Sequence, residues 1–342
     1  MRESKSDRRS KAADRAQRQR SPGSGRRIFH HERTSCTMPF FLDHHVAPRR
    51  GRRRRRLVAK AVELTAAVLF LVNQAPAQVP DWAQLDSPTP PPARAIGSTS
   101  RGCLAGGEAL PLDGPGWQVM RPSRHRYYGH SQLIAFIERL AADADSMASG
   151  ILIGDMAMPR GGPMPTGHRS HQIGLDVDIW FLPAPPTPFA PLDREEVSAI
   201  SMVTGDLESV DPTIWTPWQA GLLERAALDP QVDRIFVNPA IKRVLCQSVT
   251  GDRGWLGKIR PWWGHDDHFH VRLSCPTGED ACVPAEPIAV GDACDASLEW
   301  WFSAEAKEAL QERMKMPPKP LTLADLPAAC RAILGGASAS AE

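Results

Sequence analysis

The sequence predicts an α+β fold: a small, largely antiparallel sheet with flanking helices and long loops, in a single disulfide-linked domain. Three observations predict it. Helical and strand periodicities alternate along the body of the chain, six of the seven cysteines lie in that body, and neither an internal repeat nor a glycine-rich phosphate loop is present.

In chain order, residues 1–77 read as a basic leader and signal peptide. Arginine clusters run up to Arg56, a short apolar core follows from Leu64 to Val72, and Ala75-Pro76-Ala77 supplies a small-x-small cleavage pattern. The apolar run is interrupted by Lys60 and Glu63 and is too short for a stable membrane span, an uncleaved anchor being the alternative. Met38 is a natural start for such a leader, because residues 1–37 are polar, arginine-rich and without apolar periodicity. Of 41 basic and 39 acidic residues, 19 and 6 fall within 1–77, so the remainder carries 22 basic against 33 acidic, about −11 in place of the whole-chain +2. That balance gives no electrostatic case for a nucleic-acid partner; only the basic leader would supply one.

Residues 78–100 form a Pro/Ser-rich lead-in, residues 101–335 the folded domain, and residues 336–342 a disordered tail. Within the domain, Leu133, Phe136, Ile137, Leu140 and Ala144 repeat at helical spacing, which predicts a helix over 130–144. A second helix is expected over 218–227. Strands are expected over 151–157, 174–181, 235–238 and 269–273. Export and an even cysteine count argue for disulfides among Cys103, Cys246, Cys275, Cys282, Cys294 and Cys330, with 15 connectivities open. Zinc binding by cysteine is the rival, although no C-x-x-C pair exists.

Chemistry concentrates in two segments. In GLDVDIW the apolar residues face one way and Asp176 and Asp178 the other, the pattern of a half-buried strand with a carboxylate face. In WWGHDDHFHVRL, a strand places His268 and His270 on one face, with Asp266 beside them if the strand extends back that far. His171 sits seven residues before Asp178, and Gly174 permits the turn that folds it back over the strand. His171, Asp178 and His270 then form a three-ligand set with an open position, the arrangement of a catalytic zinc. His168 is equally read as a further ligand or a surface residue, His265 as a loop residue, and Asp176 and Asp178 alternatively as strand-edge gatekeepers.

The stretches GHRSHQIGLDVDIW and WWGHDDHFHVRLSCP resemble the penicillin-insensitive murein endopeptidases, zinc peptidases related to lysostaphin-type and D-Ala-D-Ala enzymes. The shared pattern is H-x6-D (His171 to Asp178) followed far downstream by H-x-H (His268 to His270). The likeness extends over roughly residues 80–335 through SRGCLAGGEALP, YYGHSQLIAFIERL, GILIGDMAMPRGG and RIFVNPAIKRVLC. It implies zinc held by His171, Asp178 and His270, with His168 as an additional metal contact. His268 would serve as base, and His265 as oxyanion support or proton carrier. Asp206 would belong to a second metal site, but its companion position is Ser209. The implied disulfides are Cys103–Cys330, Cys246–Cys294 and Cys275–Cys282. The implied substrate is the D-alanyl–meso-diaminopimelyl crosslink of peptidoglycan, met in the periplasm. Metal-activated water would do the hydrolysis, and the absence of S-x-x-K beyond residue 77 and of G-x-S-x-G anywhere leaves β-lactams no serine to trap. A D,D- or L,D-carboxypeptidase on uncrosslinked stem peptides would use the same residues. A non-catalytic, zinc-containing cell-wall binding domain would not need His268. A homo-oligomer is left open.

Overall fold

A computed structural model describes residues 81–316 and 319–336. The leader, its cleavage pattern, the Met38 start and all of the tail but Gly336 lie outside the described residues. Among those described, no helix is long and apolar enough to cross a membrane.

The chain enters the fold earlier than the lead-in predicts. Strand β1 (Arg94–Ser98) pairs antiparallel with β2 (Arg101–Ala105), and Trp82, Thr89, Ala95 and Ile96 are buried. Short strands follow: β3 (Glu108–Ala109), β4 (Asp113–Gly114), β5 (Trp117–Val119) and β6 (Tyr128–Gly129). Then come helix α1 (Ser131–Ser146), β7 (Ile151–Ile153), β8 (Asp176–Trp180), α2 (Pro191–Glu196) and α3 (Pro217–Leu228). The chain continues through β9 (Val232–Val237), α4 (Pro239–Ser248), β10 (Ile259–Pro261) and β11 (His268–Leu273). It closes with α5 (Ala296–Trp300), α6 (Ala304–Lys315) and α7 (Ala329–Leu334).

The central sheet has seven strands in the order β10-β9-β11-β8-β7-β5-β4, where periodicity alone predicted four. The additional strands are only two or three residues long, too short to show alternation. Pairing is antiparallel except for β10–β9 and β5–β7. Val177 and Ile179 of β8, Phe269 and Val271 of β11, and Ile235 and Val237 of β9 form one apolar face. Leu133, Phe136, Ile137 and Leu140 of α1 and Leu222 and Leu223 of α3 pack on it as one core. Burying each such side chain contributes roughly 1.5–3 kcal/mol.

Local signals place these helices. Thr216 and Gln219 close a capping box ahead of Pro217 at the start of α3, and His130 caps α1 by accepting from the Gln132 amide at 3.2 Å. The disulfides are Cys103–Cys330, Cys246–Cys294 and Cys275–Cys282, the pairing that the resemblance implies. The first ties α7 to β2, so the C-terminal end of the domain is fastened to its N-terminal hairpin across 227 residues of sequence.

Candidate metal centre

The opposite face of β8 and β11 carries the chemistry. Their antiparallel register sets His270 directly across from Asp178, and Arg272 across from Asp176. The sequence predicts a half-buried strand here, but all five residues of β8 are buried. The loop before β8 covers the carboxylate face. It turns at Gly174 (φ 73°), where an added Cβ would come within 2.9 Å of the His130 amide nitrogen. His171 is itself left-handed (φ 68°) and fully buried. Such a conformation costs a non-glycine residue on the order of 1 kcal/mol, and strain of this kind collects at functional positions.

Four imidazoles surround one carboxylate. Asp178 Oδ1 lies 3.0 Å from His270 Nδ1, 3.4 Å from His171 Nε2 and 3.8 Å from His268 Nε2; Asp178 Oδ2 lies 3.2 Å from His168 Nε2. Around that oxygen, His171 Nε2, Asp178 Oδ1 and His268 Nε2 are buried and have no hydrogen-bond partner; His270 Nε2, which faces Asp176 Oδ2 at 3.6 Å, is also unpartnered. Leaving a buried polar atom unpaired costs about 1–3 kcal/mol, so a cluster of them marks a place where a cation belongs. The spacing suits that reading. Ligands about 2.0–2.1 Å from a tetrahedral zinc stand roughly 3.3 Å apart. His168, His171 and Asp178 also offer ligand atoms within 4.8 Å of one another.

Neighbouring groups orient these side chains. His171 donates from Nδ1 to the Asp176 carbonyl oxygen at 3.3 Å, and its backbone amide donates to Asp176 Oδ2 at 3.1 Å. That leaves Nε2 as the free lone pair, as a ligand requires. Asp176 is held in turn by the Arg272 guanidinium, Nε to Oδ1 at 2.9 Å. Burial opposes its ionisation, but Arg272 and His270 keep its carboxyl well below the usual range. Burial likewise opposes Asp178, and His171, His268 and His168 hold it ionised.

His268 is placed differently. Its Nδ1 meets Asp267 Oδ1 at 2.5 Å, which leaves Nε2 facing the cluster. Burial would lower its pKa, but the charges of Asp178 and Asp267 raise it to about 9. His265, also left-handed (φ 53°), sits between the strand and the start of α4. The Asn238 amide nitrogen donates to the His265 carbonyl at 2.8 Å, and Asn238 Nδ2 donates to the Gly264 carbonyl at 3.1 Å. The His265 ring lies 5.1 Å from that of His268. Burial and the charges of His268 and His270 push its pKa down to about 3, so it is neutral.

Of the residues that the sequence singles out, His168, His171, Asp178, His265, His268 and His270 thus come together. Asp206 does not join them: it occupies an exposed turn, its Oδ1 accepting from Thr204 Oγ1 at 2.6 Å and from the Glu208 amide at 2.9 Å. Trp262 lines the cleft beside His265 and His270, and both it and Trp263 pack against Trp301. Asp266 is not on the site face, because β11 begins only at His268 after the turn through Gly264 and His265; Asp267 makes the contact instead. Asp155 joins the cluster from outside the two segments that the sequence marks. It follows β7, accepts from Arg126 at 2.7 Å, and lies 3.3 Å from His168 Nε2. Burial disfavours its charge, but His168 and Arg126 hold it well below the usual carboxylate range. Its only sequence signal is an isolated acid just after a short apolar strand.

A family model described as penicillin-insensitive murein endopeptidase matches residues 95–335. A protein of that name from Klebsiella pneumoniae subsp. pneumoniae is 44% identical over 254 residues, covering 74% of this chain and 90% of the relative. One from Escherichia coli O17:K52:H18 is 41% identical over 270 residues, covering 79% and 96%. One from Yersinia enterocolitica serotype O:8 is 42% identical over 271 residues, with the same coverage.

Proposed function

The chain belongs to the penicillin-insensitive murein endopeptidase family, and from that premise we propose that it is a zinc-dependent endopeptidase of peptidoglycan. The bond hydrolysed is the D-alanyl–meso-diaminopimelyl crosslink, and the enzyme works in the periplasm after export by its leader. The observation that carries the reading is the convergence of His171 Nε2, His268 Nε2 and His270 Nδ1 on Asp178 Oδ1, where the first two nitrogens and the oxygen are buried and unpartnered.

His171 Nε2, Asp178 Oδ1 and His270 Nδ1 would hold the metal, and His168 extends the set. Bound there, zinc supplies Lewis acidity, which brings the pKa of water toward neutrality and polarises the scissile carbonyl. The residues around it divide the remaining work. His268, oriented by Asp267, presents Nε2 to take the proton of the attacking water and to return it to the departing amine. The Asp178 charge is a large part of what holds His268 near pKa 9, so neutralising that carboxylate brings His268 into the range of a working base. His265 meets the Trp263 carbonyl through Nδ1 at 3.1 Å, which leaves Nε2 as an acceptor. Oxyanion support would need a proton on Nε2, so the neutral ring serves instead as a hydrogen-bond acceptor beside His268. No acyl-enzyme is required.

The same residues would serve a carboxypeptidase, but clefts open on both sides of the cluster, one past Asp178 and Trp180 and one past His270 and Trp262. A substrate continuing in both directions suits an endopeptidase. The test is digestion of purified sacculi with and without a chelator, followed by muropeptide separation. Conversion of dimers to monomers, abolished by chelation and restored by zinc, is expected. Release of free D-alanine with dimers intact would overturn the endopeptidase reading, and chelator-resistant hydrolysis the metal mechanism.

A further inference from the structure

Two arginines flank the cluster in the same unusual state. Arg121 lines the cleft of about 270 Å³ that also contains Asp178 and His268. Its guanidinium lies over the Trp180 ring, 5.7 Å from the centroid, and Trp180 stands two residues along the site face from Asp178. Arg313, from α6, lines the opposite cleft of about 360 Å³ that contains His265 and His270. It lies over the Trp262 ring at 5.4 Å. Neither has a carboxylate within 4.0 Å among the described residues. Their neighbours differ: Arg124 and Arg126 are committed to Asp155, and Arg272 to Asp176. Arg169, also in the second cleft, has no aromatic ring under it.

An arginine laid on a tryptophan keeps its guanidinium edge free while its plane is fixed, which prepares it for a bidentate carboxylate. Chemistry supplies the carboxylates. Diaminopimelate is a diamino diacid. Within each stem peptide one carboxyl is used in the chain and the other stays free, so a crosslink carries a free diaminopimelate carboxylate on each strand, although only the acceptor residue has both amines acylated. We infer that Arg121 on Trp180 and Arg313 on Trp262 are carboxylate receptors, one for each strand of the crosslink. Together they centre the scissile amide on the cluster and select a substrate that offers a free carboxylate on both sides. This rests on the endopeptidase reading and adds the groups that determine its specificity.

The test compares crosslinked muropeptide dimers having both carboxylates free with dimers amidated on one strand or the other. For the wild-type enzyme, each amidation lowers kcat/KM on the order of tenfold to a hundredfold, mainly through KM. Arg121→Gln loses a similar factor on the acidic dimer and becomes indifferent to amidation of one strand. Arg313→Gln becomes indifferent to amidation of the other. Arg121→Lys and Arg313→Lys recover part of the loss, because charge returns without the planar fork. Equal losses on free and amidated dimers would reduce both arginines to a structural role and overturn the inference. Variants as active as wild type would do the same. In either outcome a cleaving wild-type enzyme leaves the endopeptidase reading intact; a wild-type enzyme inert on every dimer would overturn that reading and this inference together.

Discussion

The two faces of β8 and β11 are oppositely made, and only the apolar one is closed to solvent throughout. On one, Val177, Ile179, Phe269 and Val271 interlock with α1 and α3 and leave no polar atom to satisfy. On the other, Asp178, His171, His268 and His270 leave buried nitrogen and oxygen atoms unpaired. The first face gains stability from every contact; the second costs stability until a cation arrives. The fold is thus paid for on the helix side and used on the loop side.

Substitutions on the two faces should therefore separate stability from activity. The largest effect is expected from Asp178→Ala, which removes the carboxylate that four histidines share. Metal content by elemental analysis should fall to background, and turnover by about ten-thousandfold or more. A variant that keeps stoichiometric zinc would break the comparison. Phe136→Ala, on the opposite face, should cost about 3–5 kcal/mol in urea unfolding while the folded fraction keeps its zinc and its turnover. Coupled loss of metal in the folded fraction would show that the faces are not independent.

Asp155→Asn loosens His168 without removing a ligand of the core set. Zinc affinity should drop roughly tenfold to a hundredfold in a chelator competition. An unchanged affinity would leave His168 outside the metal set. The smallest effect is in mild acid. The carboxyl of Asp176 is depressed in the folded chain, so its contribution to stability is present above the unfolded value near pH 3.9 and is lost as pH falls toward the lower folded value. The metal-free protein should hold its urea midpoint between about pH 5 and 7 as far as this group is concerned, then lose it below about pH 4. Asp176→Asn should show a shallower decline there; an identical slope would remove Asp176 from the account.

Much of this was legible in the residues because it depends on short spacing. Alternation in GLDVDIW and the H-x-H of β11 assign faces directly, and a helix as regular as α1 displays its buried side. What escaped depends on chain reversal. Asp155 reaches His168 from a separate segment, and no period relates the two. Asp267 replaces Asp266 because left-handed turns at Gly264 and His265 end the alternation that a longer strand would have kept. Burial of the carboxylate face was hidden for the same reason, since the cover is an irregular loop. The two- and three-residue strands at the sheet edges have no pattern to read.

The account stands on a division of labour within one strand, His270 for the metal and His268 for the water. Zinc content and dimer hydrolysis measured on the same preparation of His268→Ala test it most directly. The account predicts zinc at the wild-type level, with turnover lower by roughly a hundredfold to ten-thousandfold. Turnover equal to wild type, or loss of zinc along with activity, would contradict it.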